Sequence, residues 1–307
     1  MKAIVIHEYG GPEVLKFEEA PDPVIGAGEV LVRVTAASIN PLDLARRSGA
    51  AKGFFPVQFP GILGADLSGT VLEVGPGVDT FSIGDQVFGM AHKTYAELCA
   101  AKAANLGKVP DGLNLPDAAS LPLVTTTGNQ LISVGTRIQA GQTVLVAGAV
   151  GNVGRSAVFT ARARGAVVIA GVLKRQLREA GDLHANQVVA TDDDDAMANL
   201  PPLDAVADTV GGKTASELIS KVRTGGVFAS VLAPPQNAAD YPGVKVVPVR
   251  VQPDSAILLS MAQAVIKGEL TIPINRKLPL RDAAEGHAAA AKGPAGKLLL
   301  VVDKSLQ

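Results

Sequence analysis

The apolar residues of this chain recur with two different periods, and the change from one to the other divides it. Through residues 1–120 the apolar runs are short and rich in β-branched residues. KAIVI at 2–6 and GEVLVRVTAASI at 28–39 are separated by Pro and Gly clusters. The stretch 64–90, GADLSGTVLEVGPGVDTFSIGDQVFGM, continues in this way, with turn signals at GPG and IGD. Short strands joined by frequent turns predict a compact β-barrel-like domain. Asn40-Pro41 followed by LDLARRSG predicts a turn into a short helix, with Asp43 near its start as a cap.

From Asp117 the period lengthens. DAASLPLVTTTGNQLISVG reads as helical, and strand-like runs (VVIAGV, QVVAT, LDAVADTV, GGVFASVL, VKVVPVRV) then alternate with helical ones. TASELISKVR at 214–223 and SAILLSMAQAVIKG at 255–268 carry apolar residues at helical spacing. Such alternation predicts an α/β domain: a Rossmann-type, doubly wound parallel sheet with helices on both faces. After Gly268 the β-type pieces LTIPI and KLLLVVD flank a helix at 280–292, a tail that should fold back onto the first domain. The expected organisation is one domain at 1–120 and 270–307 and a second at 121–269.

The second domain is organised around residues 143–166, TVLVAGAVGNVGRSAVFTARARGA. An apolar run enters Gly148-Ala149-Val150-Gly151-Asn152-Val153-Gly154, and a helix-like segment leaves it. A glycine-rich turn between strand and helix lets a phosphate approach backbone N–H groups at the positive helix end. Ala149 departs from the usual glycine pattern, so the flanking strand and helix carry the dinucleotide reading. A site preferring NAD places an acid about 20 residues past the first glycine. Here that region holds Lys174 and Arg175, with Arg178 nearby and no acid before Glu179. A carboxylate repels the 2′-phosphate of NADP and these bases attract it, so the expected cofactor is NADPH.

Composition narrows the function classes. Lys plus Arg (28) and Asp plus Glu (29) nearly cancel, which argues against nucleic acid as a partner. One cysteine, Cys99, rules out an intramolecular disulfide framework and suits a reducing compartment. The N-terminal MKAIVIHEYGG lacks the apolar length of a secretory signal, and no later run is long enough for a bilayer. A cytoplasmic protein with no membrane partner is therefore expected. The acidic run at 192–195 reads as a solvated loop rather than a metal site.

MKAIVI, VLVRVTAASINPLD, PGILGADLSGTVLEVGPGV, GDQVFG, TYAEL, the glycine turn, VADTVGG and AGKLLLVVD occur in order along nearly the whole chain. With these markers it resembles the medium-chain dehydrogenase/reductase superfamily, in particular its zinc-free quinone oxidoreductase branch. The resemblance implies that the first domain is GroES-like. It also implies that Asp208, Thr209 and Val210, with Ser230, Val231 and Leu232, border the cofactor.

The superfamily's alcohol dehydrogenases carry a Cys where this chain has Asn40, His-Glu at Ala65-Asp66, and a second Cys at about Leu123. Zinc needs nitrogen, sulfur or carboxylate donors in a tetrahedral array. One Cys and four scattered His (His7, His92, His184, His287) do not supply that array, so no zinc or other metal site is expected.

Without a metal, hydride must pass to an acceptor able to spread the developing charge, a quinone or an enone. Asn40 and Thr127 are the polar candidates for assisting its oxygen. Ala45 and Asn129 replace two tyrosines usual in the branch, which leaves no obvious phenolic proton donor. The reading is a zinc-independent NADPH:quinone oxidoreductase. The alternatives are an NADPH-dependent enone or alkenal double-bond reductase, and an NADPH-binding sensor or structural protein with little turnover. A homodimer is expected through the edge run at 244–251, although Pro248 removes one ladder hydrogen bond.

Overall fold

The computed structural model describes residues 1–293 and 296–302. Its first strands are β1 (Lys2–Ile6), β2 (Lys16–Glu19), β3 (Glu29–Ile39), β4 (Gly61–Ile62), β5 (Asp66–Val74), β6 (Gln86–Met90), β7 (Leu98–Lys102) and β8 (Leu106–Lys108). Then come β9 (Thr143–Ala147), β10 (Val167–Val172), β11 (Gln187–Ala190), β12 (Leu203–Asp208), β13 (Val222–Ser230) and β14 (Lys245–Pro248). Strands β15 (Ile274–Pro279) and β16 (Lys297–Val301) follow last. The helices are α1 (Pro41–Ser48), α2 (Leu115–Ala118), α3 (Pro122–Gln130), α4 (Asn152–Ala163), α5 (Asp194–Ala198), α6 (Gly212–Leu218), α7 (Ser255–Ile266) and α8 (Ala283–Ala290).

Two compact units result: residues 1–123 and 253–268 with the described residues from 272 on, and residues 124–252 with 269–271. The second unit holds a six-stranded sheet in the order β11-β10-β9-β12-β13-β14. Every pairing in it is parallel. Both faces are covered. Val144 and Val146 of β9 belong to one core, while their neighbours Leu145 and Ala147 belong to the core on the other face. Burial on both sides explains why these strands read as continuous apolar runs without alternation. The strand order reverses direction between β9 and β12, the place in such a sheet where a crevice opens at the carboxyl ends.

The first unit contains a three-stranded sheet, β2-β1-β4, and a larger one in which β15-β16-β3-β5-β6-β8 are successive neighbours and β7 also pairs with β3. The chain end returns to this sheet: β16 runs antiparallel beside β3, with Leu298 opposite Ile39. Ala37 and Ile39 belong to an apolar core with Leu298 and Leu300, while Ser38 between them points to the other face of the strand.

Three expectations shift. Residues 253–268, expected in the nucleotide domain, belong to the first unit, where Leu259 of α7 lies against Gly107 of β8. A Cβ at Gly107 would come within 3.0 Å of the Leu259 side chain, so this glycine makes room for the helix. Helical spacing shows that α7 buries a face but not against which sheet. The expected helix at 214–223 ends early, because a 3₁₀ turn at Ile219–Lys221 leads directly into β13. The strand expected at LTIPI starts only at Ile274 and continues through NRKLP. Among the described residues no helix is long and apolar enough to cross a membrane.

Candidate functional site

In the second unit the glycine turn joins β9 to α4 as the spacing implied. Gly148 has φ +72°, a conformation that glycine adopts without strain. A Cβ at Gly154 would fall 2.8 Å from the Ala149 Cα and closer still to the Gly148 carbonyl oxygen, so only glycine lets α4 approach the turn. The N–H groups of Gly148 and Ala149 both donate to the Gly171 carbonyl, at 2.9 and 3.0 Å, and that of Gly151 donates to Gly148. These donors are used up within the fold. The groups without an intrahelical acceptor are those of the first turn of α4, at Asn152, Val153 and Gly154. Beside them the Asn152 Oδ1 is buried without a partner. An orphaned polar atom and a row of free N–H groups at a helix start fit a dinucleotide pyrophosphate.

Arg155, one turn into α4, is a residue the motif did not reveal. It is 7% exposed; its Nε donates to the Val150 carbonyl at 2.9 Å and its Nη2 to Glu179 at 2.8 Å. It thus braces the turn from behind, and it occupies the first acid after the second strand. The signal was an arginine on the apolar face of a helix that begins at a phosphate turn.

The residues expected at the strand ends divide by environment. Asp208 is fully buried, accepts from the Val210 and Gly211 N–H groups and from the Ser230 hydroxyl, and so ties β12 to β13. The Thr209 hydroxyl donates to the Ala147 carbonyl, and Val231 packs against the core. Val210 and Leu232, by contrast, are 48% and 46% exposed, and the Ser230 hydroxyl also holds the Leu232 N–H. Four of the six residues thus shape the strand ends and two present apolar side chains to solvent.

The basic pair is not equivalent. The Lys174 ammonium lies 2.9 Å from Asp193, and its backbone N–H donates to Asp192 at 2.7 Å. Asp193 also caps α5 by accepting from Ala196. The hydrogen bond that Lys174 donates to Asp193 holds the Lys174 ammonium above its ordinary range and the Asp193 carboxyl below its own. The acidic run is therefore more than a solvated loop. Arg175 is exposed, and no ion pair holds it among the described residues.

Thr127 sits in α3 beside Gly128, where a Cβ would fall within 2.6 Å of the Ser156 side chain and clash with the Val153 carbonyl. The Thr127 side chain is 8% exposed, and its hydroxyl makes no hydrogen bond among the described residues. Asn129, in place of a tyrosine, accepts from Ser133.

In the first unit Asn40 is 1% exposed, and its amide is committed at both ends. Its Oδ1 accepts from the Lys297 ammonium at 2.6 Å, and its Nδ2 donates to Asp66 at 2.9 Å. Asp66, fully buried, also accepts from the Ser38 hydroxyl at 2.5 Å and from the Leu123 N–H at 2.8 Å. Burial raises the Asp66 carboxyl, while Lys297, Ser38, Asn40 and Leu123 oppose the rise; burial likewise lowers the Lys297 ammonium. Asp43 accepts the Asn40 backbone N–H at 2.9 Å, the helix-capping role expected of it, and burial pushes its carboxyl up to about 6. Tyr95 is buried between the Ser38 carbonyl and His287, whose imidazole burial lowers to about 3. Burial also pushes the Cys99 thiol up to about 12, which leaves it protonated and inert.

Residues 26–117 match the family model described as the alcohol dehydrogenase GroES-like domain, and residues 183–300 the one described as zinc-binding dehydrogenase. The acryloyl-coenzyme A reductase of Sulfurisphaera tokodaii is 30% identical over 75% of this chain and 76% of its own length. The structure of the quinone oxidoreductase from Coxiella burnetii matches with a TM-score of 0.89 at 30% identity, covering 99% of each chain. Mycobacterial Rv1454c complexed with NADPH matches with a TM-score of 0.84 at 28% identity, covering 98% of this chain and 100% of that one. A further match, 37% identical over 52% of this chain, spans only 4% of erythronolide synthase EryA2 of Saccharopolyspora erythraea.

The zinc in one of those descriptions is a test the donor set fails. Of the positions that the resemblance matches to zinc ligands, Asn40, Ala65-Asp66 and Leu123, Ala65 brings no donor, and it is Asp66 that joins Asn40 and Leu123 in one cluster. They bring an amide, a single carboxylate and a backbone N–H, and an ammonium already stands against the amide oxygen. Among the described residues no thiolate or imidazole joins them, and such a set does not fit a zinc ion.

Proposed function

This chain belongs to the medium-chain dehydrogenase/reductase superfamily, in its quinone oxidoreductase branch, and on that premise we propose that it is a zinc-independent reductase passing hydride from NADPH to a quinone. It is an oxidoreductase by family. The observation that carries the finer reading is the Lys297-filled cluster at Asn40 and Asp66, which offers a metal one carboxylate and no thiolate or imidazole among the described residues. An acceptor reduced there must spread the developing charge itself, and a quinone does so by conjugation.

The first turn of α4, from Asn152 to Gly154, would hold the pyrophosphate, with Val210 and Leu232 as apolar borders. Bound NADPH supplies the hydride. Arg175 and, after release from Asp193, Lys174 would take the 2′-phosphate. The similarity to Rv1454c, which binds NADPH, supports that choice. Of the two candidates for assisting the acceptor oxygen, Thr127 has the uncommitted hydroxyl. Asn40 spends its N–H groups on Asp66 and Ser38, so its contribution is to the wall of the acceptor side.

A second reading, reduction of an enone or alkenal double bond, is favoured by the similarity to an acryloyl-coenzyme A reductase. NADPH oxidation assayed in parallel with a quinone and an enal separates the two. A rate with the enal alone selects the second reading, and tight NADPH binding without turnover selects a sensor instead. We further take the protein to be cytoplasmic and to pair through β14, an edge strand of four residues that ends at Pro248. A dimer mass in solution would support that pairing and a monomer mass would reject it.

A further inference from the structure

We propose that Lys297 is the built-in cation of the Asn40–Asp66 cluster, standing in the electrostatic place of a metal ion and positioning the Asn40 amide at the end of β3. The register of the sheet brings it there. In an antiparallel pair with Leu298 opposite Ile39, the next residues along are Lys297 and Asn40. The Lys297 ammonium reaches the Ile39 carbonyl at 3.3 Å and the Asn40 Oδ1 at 2.6 Å, and lies 3.8 Å from Asp66. The ammonium thus donates two hydrogen bonds and stands within ion-pair distance of the Asp66 carboxylate, with the lysine side chain 3% exposed.

A lysine so placed is not a bystander. Burial of an ammonium is costly unless opposite charge and hydrogen bonds compensate for it, and the same holds for the fully buried Asp66. Each offsets the other, and Asn40 links them, with one end of its amide on the cation and the other on the anion. A flip of that amide would set its NH₂ against the ammonium and its oxygen against the carboxylate. The pair therefore fixes which way Asn40 points. Asp43 of α1, Tyr95 and His287 complete the polar surroundings, and Asp43 is the other carboxylate whose charge acts on Lys297. A divalent ion could enter only by displacing the ammonium, and it would then find one carboxylate.

For its kinetic part the proposal rests on the reductase reading above; for its structural part it does not. The test compares the wild type with Asp66→Asn, Lys297→Met and the double variant Asp66→Asn/Lys297→Met. Thermal midpoints should fall for Lys297→Met, which strands a buried carboxylate, and should largely recover in the double variant. A Lys297→Met midpoint equal to the wild type, or a double variant whose loss is the sum of the two single losses, would overturn the role as counter-ion. If Lys297→Met is insoluble, a soluble and stable double variant supports the proposal, and an equally insoluble one overturns it.

The double variant should also bind NADPH as the wild type does, by cofactor fluorescence, yet show kcat reduced tenfold or more at an unchanged KM for NADPH. A wild-type kcat would reduce the cluster to a structural element and overturn the positioning role. Absence of turnover in the wild type would instead count against the reductase reading, and the midpoints would still decide whether Lys297 is the counter-ion.

Discussion

Lys297 and Asn40, 257 positions apart in the chain, are joined by a 2.6 Å hydrogen bond that neither residue shares with solvent. The chain end thereby locks the turn that begins α1. Asn40→Ala would remove partners from both the ammonium and the carboxylate. Hydrogen bonds to charged groups contribute about 1.5–3 kcal/mol each, so the expected loss of stability is about 2–4 kcal/mol. Urea unfolding followed by far-ultraviolet circular dichroism would measure it, and a loss below half a kilocalorie per mole would contradict the geometry.

Asp43 gives stability a pH dependence of defined sign. Its carboxyl titrates at about 6 in the fold against 3.8 when exposed, so the folded state holds the proton more tightly. The corresponding stability is present below the unfolded value and lost as pH rises through about 6, a change of about 3 kcal/mol. His287 acts oppositely: its folded value is lowered to about 3, so stability is lost as pH falls below its ordinary 6.5. The difference between wild type and Asp43→Asn isolates the first effect. The stability of the variant relative to wild type should rise between pH 4 and 7, and a constant difference would refute the assignment.

Gly154→Ala tests the phosphate turn. A methyl group there clashes with the Gly148 carbonyl and lies 2.8 Å from the Ala149 Cα, so the turn must open or α4 must withdraw. NADPH affinity should fall at least tenfold, with overall helix content preserved. Titration by cofactor fluorescence reads the first and circular dichroism the second.

The ion pair between Lys174 and Asp193 makes cofactor preference adjustable. Arg175→Glu should weaken NADPH about tenfold or more and leave NADH little changed, since only the 2′-phosphate is affected. Asp193→Asn should shift preference further toward NADPH by releasing Lys174. Equal affinities for the two cofactors in the wild type would remove the basis for both expectations.

Local pattern made much of this legible. KAIVI became β1 with the bounds that its β-branched run suggested, and the glycine turn stands between β9 and α4 as its spacing implied. What stayed hidden was tertiary. The partner of α7 depends on Gly107, far away in sequence and given room only by its missing side chain. Lys174 looked free because Asp193 comes close only after β10 and β11 pair in parallel. The three positions of the missing metal could be read from the resemblance, but Lys297, one more residue in an apolar strand, could not be seen as their counterweight.

Zinc-independent reduction by this chain is tested most directly by NADPH oxidation with a quinone acceptor, measured on protein of known zinc content before and after treatment with a strong chelator. It predicts turnover faster with NADPH than with NADH, less than stoichiometric zinc, and a rate unchanged by chelation. One zinc per chain with activity lost on its removal, or no turnover across a panel of quinones and enones, would contradict it.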